Sequence, residues 1–106
     1  PVIPNPNPWN GIEGLVTRQN PAGAFADKAL WPEQAVDLAS AVEIFTINSA
    51  RAIGLGDDVG SLDVGKSADL IVLNQNIFEV PVDTISDTKV EETYFEGSSV
   101  FTRSAP

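Results

Sequence analysis

Residues 68–73 read Ala-Asp-Leu-Ile-Val-Leu, four apolar side chains in unbroken succession after a polar opening. Side chains alternate along an extended chain, so Leu70 and Val72 fall on one face and Ile71 and Leu73 on the other. The run has no helical stripe, and a strand that is apolar on both faces needs cover on both, as in a sheet packed between other layers. The surrounding signals agree with a β region. Gly56-Asp-Asp-Val-Gly60 reads as a turn, and Thr88–Phe95 with Ser98–Arg103 reads as a hairpin about Glu96-Gly97. Between them, Val80-Pro-Val-Asp83 predicts a turn leading into a short helical bend.

The N-terminal half follows helical rules. Residues 1–8, PVIPNPNP, forbid a helix and predict a turn-rich loop. Trp9, Ile12, Leu15 and Val16 then recur at helical spacing, with Pro8 suited to the first turn and Arg18 placed as a last-turn cation. Asn20-Pro-Ala-Gly23 breaks this helix, and the loop running to Pro32 carries Leu30 and Trp31 as apolar anchors. Asp37 is an N-cap ahead of the stripe Leu38, Ala41, Val42 and Phe45. Asn48 predicts a second helical piece through Ala52, stopped by Gly54, with a sharp turn at Ile47-Asn48.

The 106 residues suffice for one domain or part of one, and 42% apolar with 20% charged residues is a globular balance. A net charge of -9, with the six basic residues scattered singly, opposes a nucleic-acid partner. No apolar run approaches a membrane-spanning length, and no membrane partner is expected. The absence of His and Cys removes the common zinc ligands, the usual general base and the thiol nucleophile together. Met is absent too, even at position 1, so the expectation is a processed, cut or excerpted chain.

Gly60-Ser-Leu-Asp-Val-Gly-Lys-Ser67 fits the phosphate-loop pattern G-x-x-x-x-G-K-[ST]. Such a loop needs a buried strand before it and a helix opening at its Lys-Ser. Here an acidic turn precedes and a β run follows, while Asp57, Asp58 and Asp63 would set carboxylates beside the phosphates. The same carboxylates lack the alternate spacing and closing glutamate of a calcium loop, which leaves a solvated turn.

Extended through Leu73, GSLDVGKSADLIVL resembles the C-terminal signature of the amidohydrolase superfamily. Residues 7–18, NPWNGIEGLVTR, are similar to the segment that follows the eighth barrel strand in the amidohydrolase 3 branch. Residues 38–55, LASAVEIFTINSARAIGL, resemble its helix-turn-helix, and residues 90–101, VEETYFEGSSVF, its closing hairpin. The matches come in family order over roughly residues 7–103, which makes them far more specific than any one alone.

The resemblance implies an α+β fold in which the last helices of a (β/α)8 metal-dependent hydrolase barrel precede the C-terminal strands of a small composite β-sandwich. Residues 1–56 would form the final barrel loop and helices, and 57–106 the sandwich strands. It implies a parent that hydrolyses a C–N bond of a small amide-type substrate with metal-activated water. The divalent metal, expected to be zinc, would be held by histidines and an aspartate upstream. No catalytic or metal-binding residue is assigned within this chain, which by itself is expected to be inactive.

Pro4, Asn5 and Asn7 are the candidate substrate-binding residues, because such active sites open at the C-terminal ends of the barrel strands; a plain connecting loop is the alternative. Lys66 and Asp69 read as a strand-opening turn pair. Trp9, Trp31 and Phe45 read as residues docking helices onto barrel or sandwich. The expected partner is the remainder of the protein's own barrel, with homo-oligomerisation left open and a cytoplasmic location expected. A stand-alone accessory or protein-interaction domain is the competing reading.

Overall fold

A computed structural model describes residues 6–19 and 28–104. The opening residues Pro4 and Asn5 and the Asn20–Gly23 helix breaker lie outside the described residues. The chain divides into two compact units, Pro1–Val42 with Ile77–Thr88, and Glu43–Asn76 with Lys89–Pro106.

In the first unit, α1 spans Pro8–Thr17. Asn7 caps it, its Oδ1 accepting the Trp9 N–H at 3.0 Å, and Pro8 occupies the first turn, where its missing N–H costs nothing. The helix ends at Arg18, whose left-handed backbone (φ 59°) turns its N–H onto the Gly14 carbonyl at 2.8 Å. Arg18 thus lies one residue past the last turn where a dipole-stabilising cation was expected. Its side chain closes a loop instead: Nε donates to the Leu30 carbonyl at 2.9 Å, and the Leu30 N–H donates back to the Arg18 carbonyl at 2.8 Å.

Trp9 and Ile12 bury the apolar face of α1, which packs on a 3-10 turn at Val82–Asp87. Ile77 and Ile85 are the buried apolar residues of the returning segment, Ile85 with no exposed surface. Thr88 is buried beside them and bonds its hydroxyl back to the Ile85 carbonyl at 2.6 Å.

Leu38–Glu43 forms α2. Asp37 caps it as its sequence indicates, with Oδ1 accepting the Ser40 N–H and Oδ2 the Ser40 hydroxyl, both at 2.8 Å. These bonds, the backbone one first, hold the Asp37 carboxyl below the usual carboxylate range.

The second unit begins with helical backbone. A π-helical turn spans Ile44–Asn48 and runs directly into α3, Ser49–Ala52. The sharp turn expected at Ile47-Asn48 does not occur. Asn48 keeps helical torsions (φ -68°, ψ -38°) and caps nothing, while the Ser49 hydroxyl bonds the Ile44 carbonyl five residues back. A wider turn accommodates the extra residue without breaking the helix.

A three-stranded antiparallel sheet follows, in the order β1 (Leu70–Leu73), β2 (Val90–Phe95), β3 (Ser98–Thr102). Leu70 pairs with Tyr94 and Ile71 with Thr93, and β2 pairs with β3 about the expected Glu96-Gly97 turn. Both turn residues have positive φ, 50° and 82°, the geometry that matches a two-residue hairpin to the strand twist. The cover demanded by β1 is missing among the described residues, since Ile71 and Val72, on opposite faces, remain 46% and 44% exposed. Among the described residues of this unit only Ala50 is a buried apolar side chain.

At the open end of the hairpin Arg103 forks onto Glu91, with Nε donating to Oε2 at 3.1 Å and Nη2 to Oε1. That hydrogen bonding lowers the Glu91 pKa. With the folded-state pKa depressed, the stabilisation is present above the unfolded value and is lost as pH falls through the folded value. Thermal melts at falling pH should therefore show Arg103→Gln and wild type differing near neutral pH and converging in acid once the Glu91 carboxyl is protonated. The pair is solvent-exposed, so the difference should be small and shrink in high salt.

Candidate functional site

The signature segment condenses around Lys66. Its ammonium donates to the Gly56 carbonyl at 2.6 Å and the Ser61 hydroxyl at 2.8 Å, with Asp63 3.9 Å away. Ser61 in turn donates to the Asp63 carboxylate. The Lys66 side chain is only 15% exposed, although Asp63 is 70% exposed. The ammonium therefore ties both ends of the turn rather than facing an open phosphate cradle, and the chain after Ser67 enters β1 with no helix at that point. Lys66→Met should cost about 2 kcal/mol in urea unfolding, because it leaves a partly buried carbonyl and hydroxyl without their donor. A change below about 0.5 kcal/mol would mean that water replaces the ammonium freely.

Asp69 forms the second tie. One oxygen, Oδ1, accepts the Ser67 hydroxyl and the Glu96 N–H, both at 2.8 Å, while the Gly97 N–H reaches the Ala68 carbonyl at 3.0 Å. The hairpin turn is thus latched to the residues that open β1. These geometries fit the expected turn-pair roles of Lys66 and Asp69.

Of the candidate substrate-binding residues, only Asn7 lies among the described residues, and there it is the cap of α1. Trp9 is packed as expected, 8% exposed, whereas Trp31 and Phe45 remain 59% and 39% exposed. Trp31 also has a left-handed backbone (φ 48°) at the head of a 3-10 turn, Pro32–Gln34, which begins where the expected loop ends.

A polar contact missed from sequence is Glu13. It is 4% exposed, and its Oε1 accepts the Ser86 N–H at 2.9 Å. The signal was available, since Glu13 stands four residues after Trp9 on the apolar stripe of α1, where a charge needs a partner.

Metal binding does not fit the side chains of the described residues. The chain has no His or Cys, and among the described residues no group of three or more carboxylates is arranged to hold an ion.

Residues 3–101 match the Amidohydrolase family profile. The chain belongs to the amidohydrolase family. Among its amidohydrolase relatives, the N-substituted formamide deformylase of Arthrobacter pascens is 35% identical over 82 residues, which is 77% of this chain and 14% of the deformylase. The 5-methylthioadenosine/S-adenosylhomocysteine deaminase of Teredinibacter turnerae is 52% identical over 55 residues, covering 52% of this chain and 12% of the deaminase. The crystal structure of an amidohydrolase from Thermotoga maritima MSB8 superimposes with a TM-score of 0.56 at 32% identity, over 67% of this chain and 17% of that one. This amidohydrolase chain therefore spans less than a fifth of each of these proteins.

Proposed function

We propose that these residues are the C-terminal portion of a metal-dependent hydrolase that breaks a C–N bond in a small amide-type substrate. The observation that carries the reading is the family match across residues 3–101 in a chain that spans only 14% of a deformylase. The deaminase and S-triazine hydrolase among the relatives point to the same bond class. Residues 1–56 would supply the final barrel loop and helices, and 57–106 the sandwich strands. The partner of both is the remainder of the same barrel.

The divalent metal of the family, expected to be zinc, would supply Lewis-acid chemistry to the parent enzyme. Its ligands belong to the upstream barrel, and no step of hydrolysis falls to a side chain of this chain. The contribution of these residues is architectural: the Lys66 and Asp69 ties fix the turn and hairpin, and Asn7 sets the start of α1. Pro4, Asn5 and Asn7 would stand near the substrate mouth.

The test is an assay of the polypeptide extended upstream in its own gene against N-substituted formamides and simple cyclic amides. The expected result is turnover that a chelator abolishes and zinc restores. A folded, metal-loaded extended protein inactive on every amide-type substrate would refute the reading.

A further inference from the structure

Among the described residues Glu13 is the single buried charged side chain, and no ion pair engages it. A carboxylate withdrawn from water without a cation is costly, so packing alone does not account for it. It lies on the face of α1 that also buries Trp9 and Ile12, and its Oε1 accepts the Ser86 N–H at 2.9 Å. Both partners belong to the first unit, one on α1 and the other on the Val82–Asp87 turn.

The bond supplies what the apolar contact around it lacks. Trp9, Ile12 and Ile85 hold α1 on the turn by burial, which is non-directional and tolerates a slide or a rotation. A hydrogen bond does not. Sliding the helix by one residue moves Oε1 by about 1.5 Å, enough to break a bond of this length. The start of α1 inherits the register so fixed. Asn7 stands about 9 Å up the helix from Glu13, and its Oδ1 caps the Trp9 N–H at 3.0 Å. Where Glu13 anchors the helix, Asn7 follows.

We propose that Glu13 is a positioning residue: by tying α1 to the Ser86 N–H it sets the place of Asn7, and through Asn7 the fit of the amide-type substrate. The proposal rests on the amide-hydrolase reading and on the place of Asn7 near the substrate mouth. Its action is indirect and falls on binding. A residue at the mouth grips ground state and transition state alike, so a displaced Asn7 raises KM and leaves kcat unchanged.

Two conservative variants of the polypeptide extended upstream in its own gene separate the bond from the charge. Glu13→Gln loses the charge and keeps the Oε1 acceptor; Glu13→Asp keeps the charge and is one methylene too short to reach. On the N-substituted formamide or cyclic amide that the wild type hydrolyses, Glu13→Asp should raise KM on the order of 10-fold, the worth of one hydrogen bond to a carboxylate, with kcat within about twofold. Glu13→Gln should stay near wild type in both. In hydrogen exchange read by mass spectrometry, the amides of α1 and of Val82–Asp87 should exchange faster in Glu13→Asp, while β2 and β3 keep wild-type rates.

An unchanged KM in Glu13→Asp would overturn the proposal, as would a Glu13→Gln variant equally impaired. A kcat that falls in step with the folded fraction would reduce Glu13 to a structural role and overturn it too. Exchange needs no substrate. A wild type that hydrolyses nothing would refute the catalytic reading, and faster exchange confined to α1 and its turn in Glu13→Asp would then leave the hold of Glu13 on Asn7 standing. Unchanged exchange would overturn that hold as well.

Discussion

Ile85→Ala should lower the unfolding free energy of the first unit by about 3–4 kcal/mol, the largest effect expected of any single substitution here. Ile85 has no exposed surface, and its 3-10 turn packs against α1, which buries Trp9 and Ile12. Truncation loses three carbons' worth of transfer energy, and the remaining space cannot readily close. Its neighbour Thr88 is held by the Ile85 carbonyl, and Glu13 pins the same turn through the Ser86 N–H. Few other large apolar groups share the load, so little compensates. Urea unfolding followed by tryptophan emission reads this directly, because Trp9 is buried while Trp31 is already wet. Ile85→Val should cost only about 1 kcal/mol. An Ile85→Ala midpoint close to wild type would show that the α1 contact is not formed in solution.

Gly60→Ala comes next, at about 3 kcal/mol, for two separable reasons. Its backbone φ of 99° is one that a residue with a Cβ adopts only under strain. The added carbon would also lie 2.7 Å from the Ala50 Cβ and 3.1 Å from the Ile47 Cα, and the latter is backbone that cannot swing aside. Gly65 separates the terms, having φ 92° but open space around its missing side chain. Gly65→Ala should therefore cost only about 1 kcal/mol, the torsional part alone. Urea titrations followed by far-UV circular dichroism compare the two. Equal losses would mean that the Gly56–Gly60 turn does not sit against the helical segment of Ile47 and Ala50.

What the sequence revealed follows from how local each cause is. The Asp37 cap, the Pro8 start of α1 and the Glu96-Gly97 hairpin each depend on residues within a few positions, and each was readable. The π turn at Ile44–Asn48 was not, because the Asn48 cap signal is local while the outcome depends on helical bonding carrying through the whole segment. The place of Glu13 on the apolar stripe of α1 signals that it needs a partner, but the partner, Ser86, is 73 residues away and has no local signal. The Asp69 latch onto Glu96 likewise depends on a contact across 27 residues, so the turn-pair reading of Lys66 and Asp69 was correct in kind but silent on what they join.

Trp31 and Phe45 teach a different lesson. Their apolar character was read as packing, but in this chain both are substantially exposed. The β1 run carries the same message, since four apolar residues in a row specify burial without naming what buries them. Family membership was legible because the four segments keep their order. Pro4, Asn5 and Asn7 were selected by their place in that order, and the one described among them, Asn7, caps α1.

The most direct measurement of the central claim, that the reactive ion and the covering scaffold lie outside this chain, is the zinc content of the purified 106 residues after exhaustive dialysis. The expected result is far less than one equivalent per chain, with no hydrolysis of amide substrates when zinc is added back. One tightly held equivalent, with turnover that follows it, would contradict the claim outright.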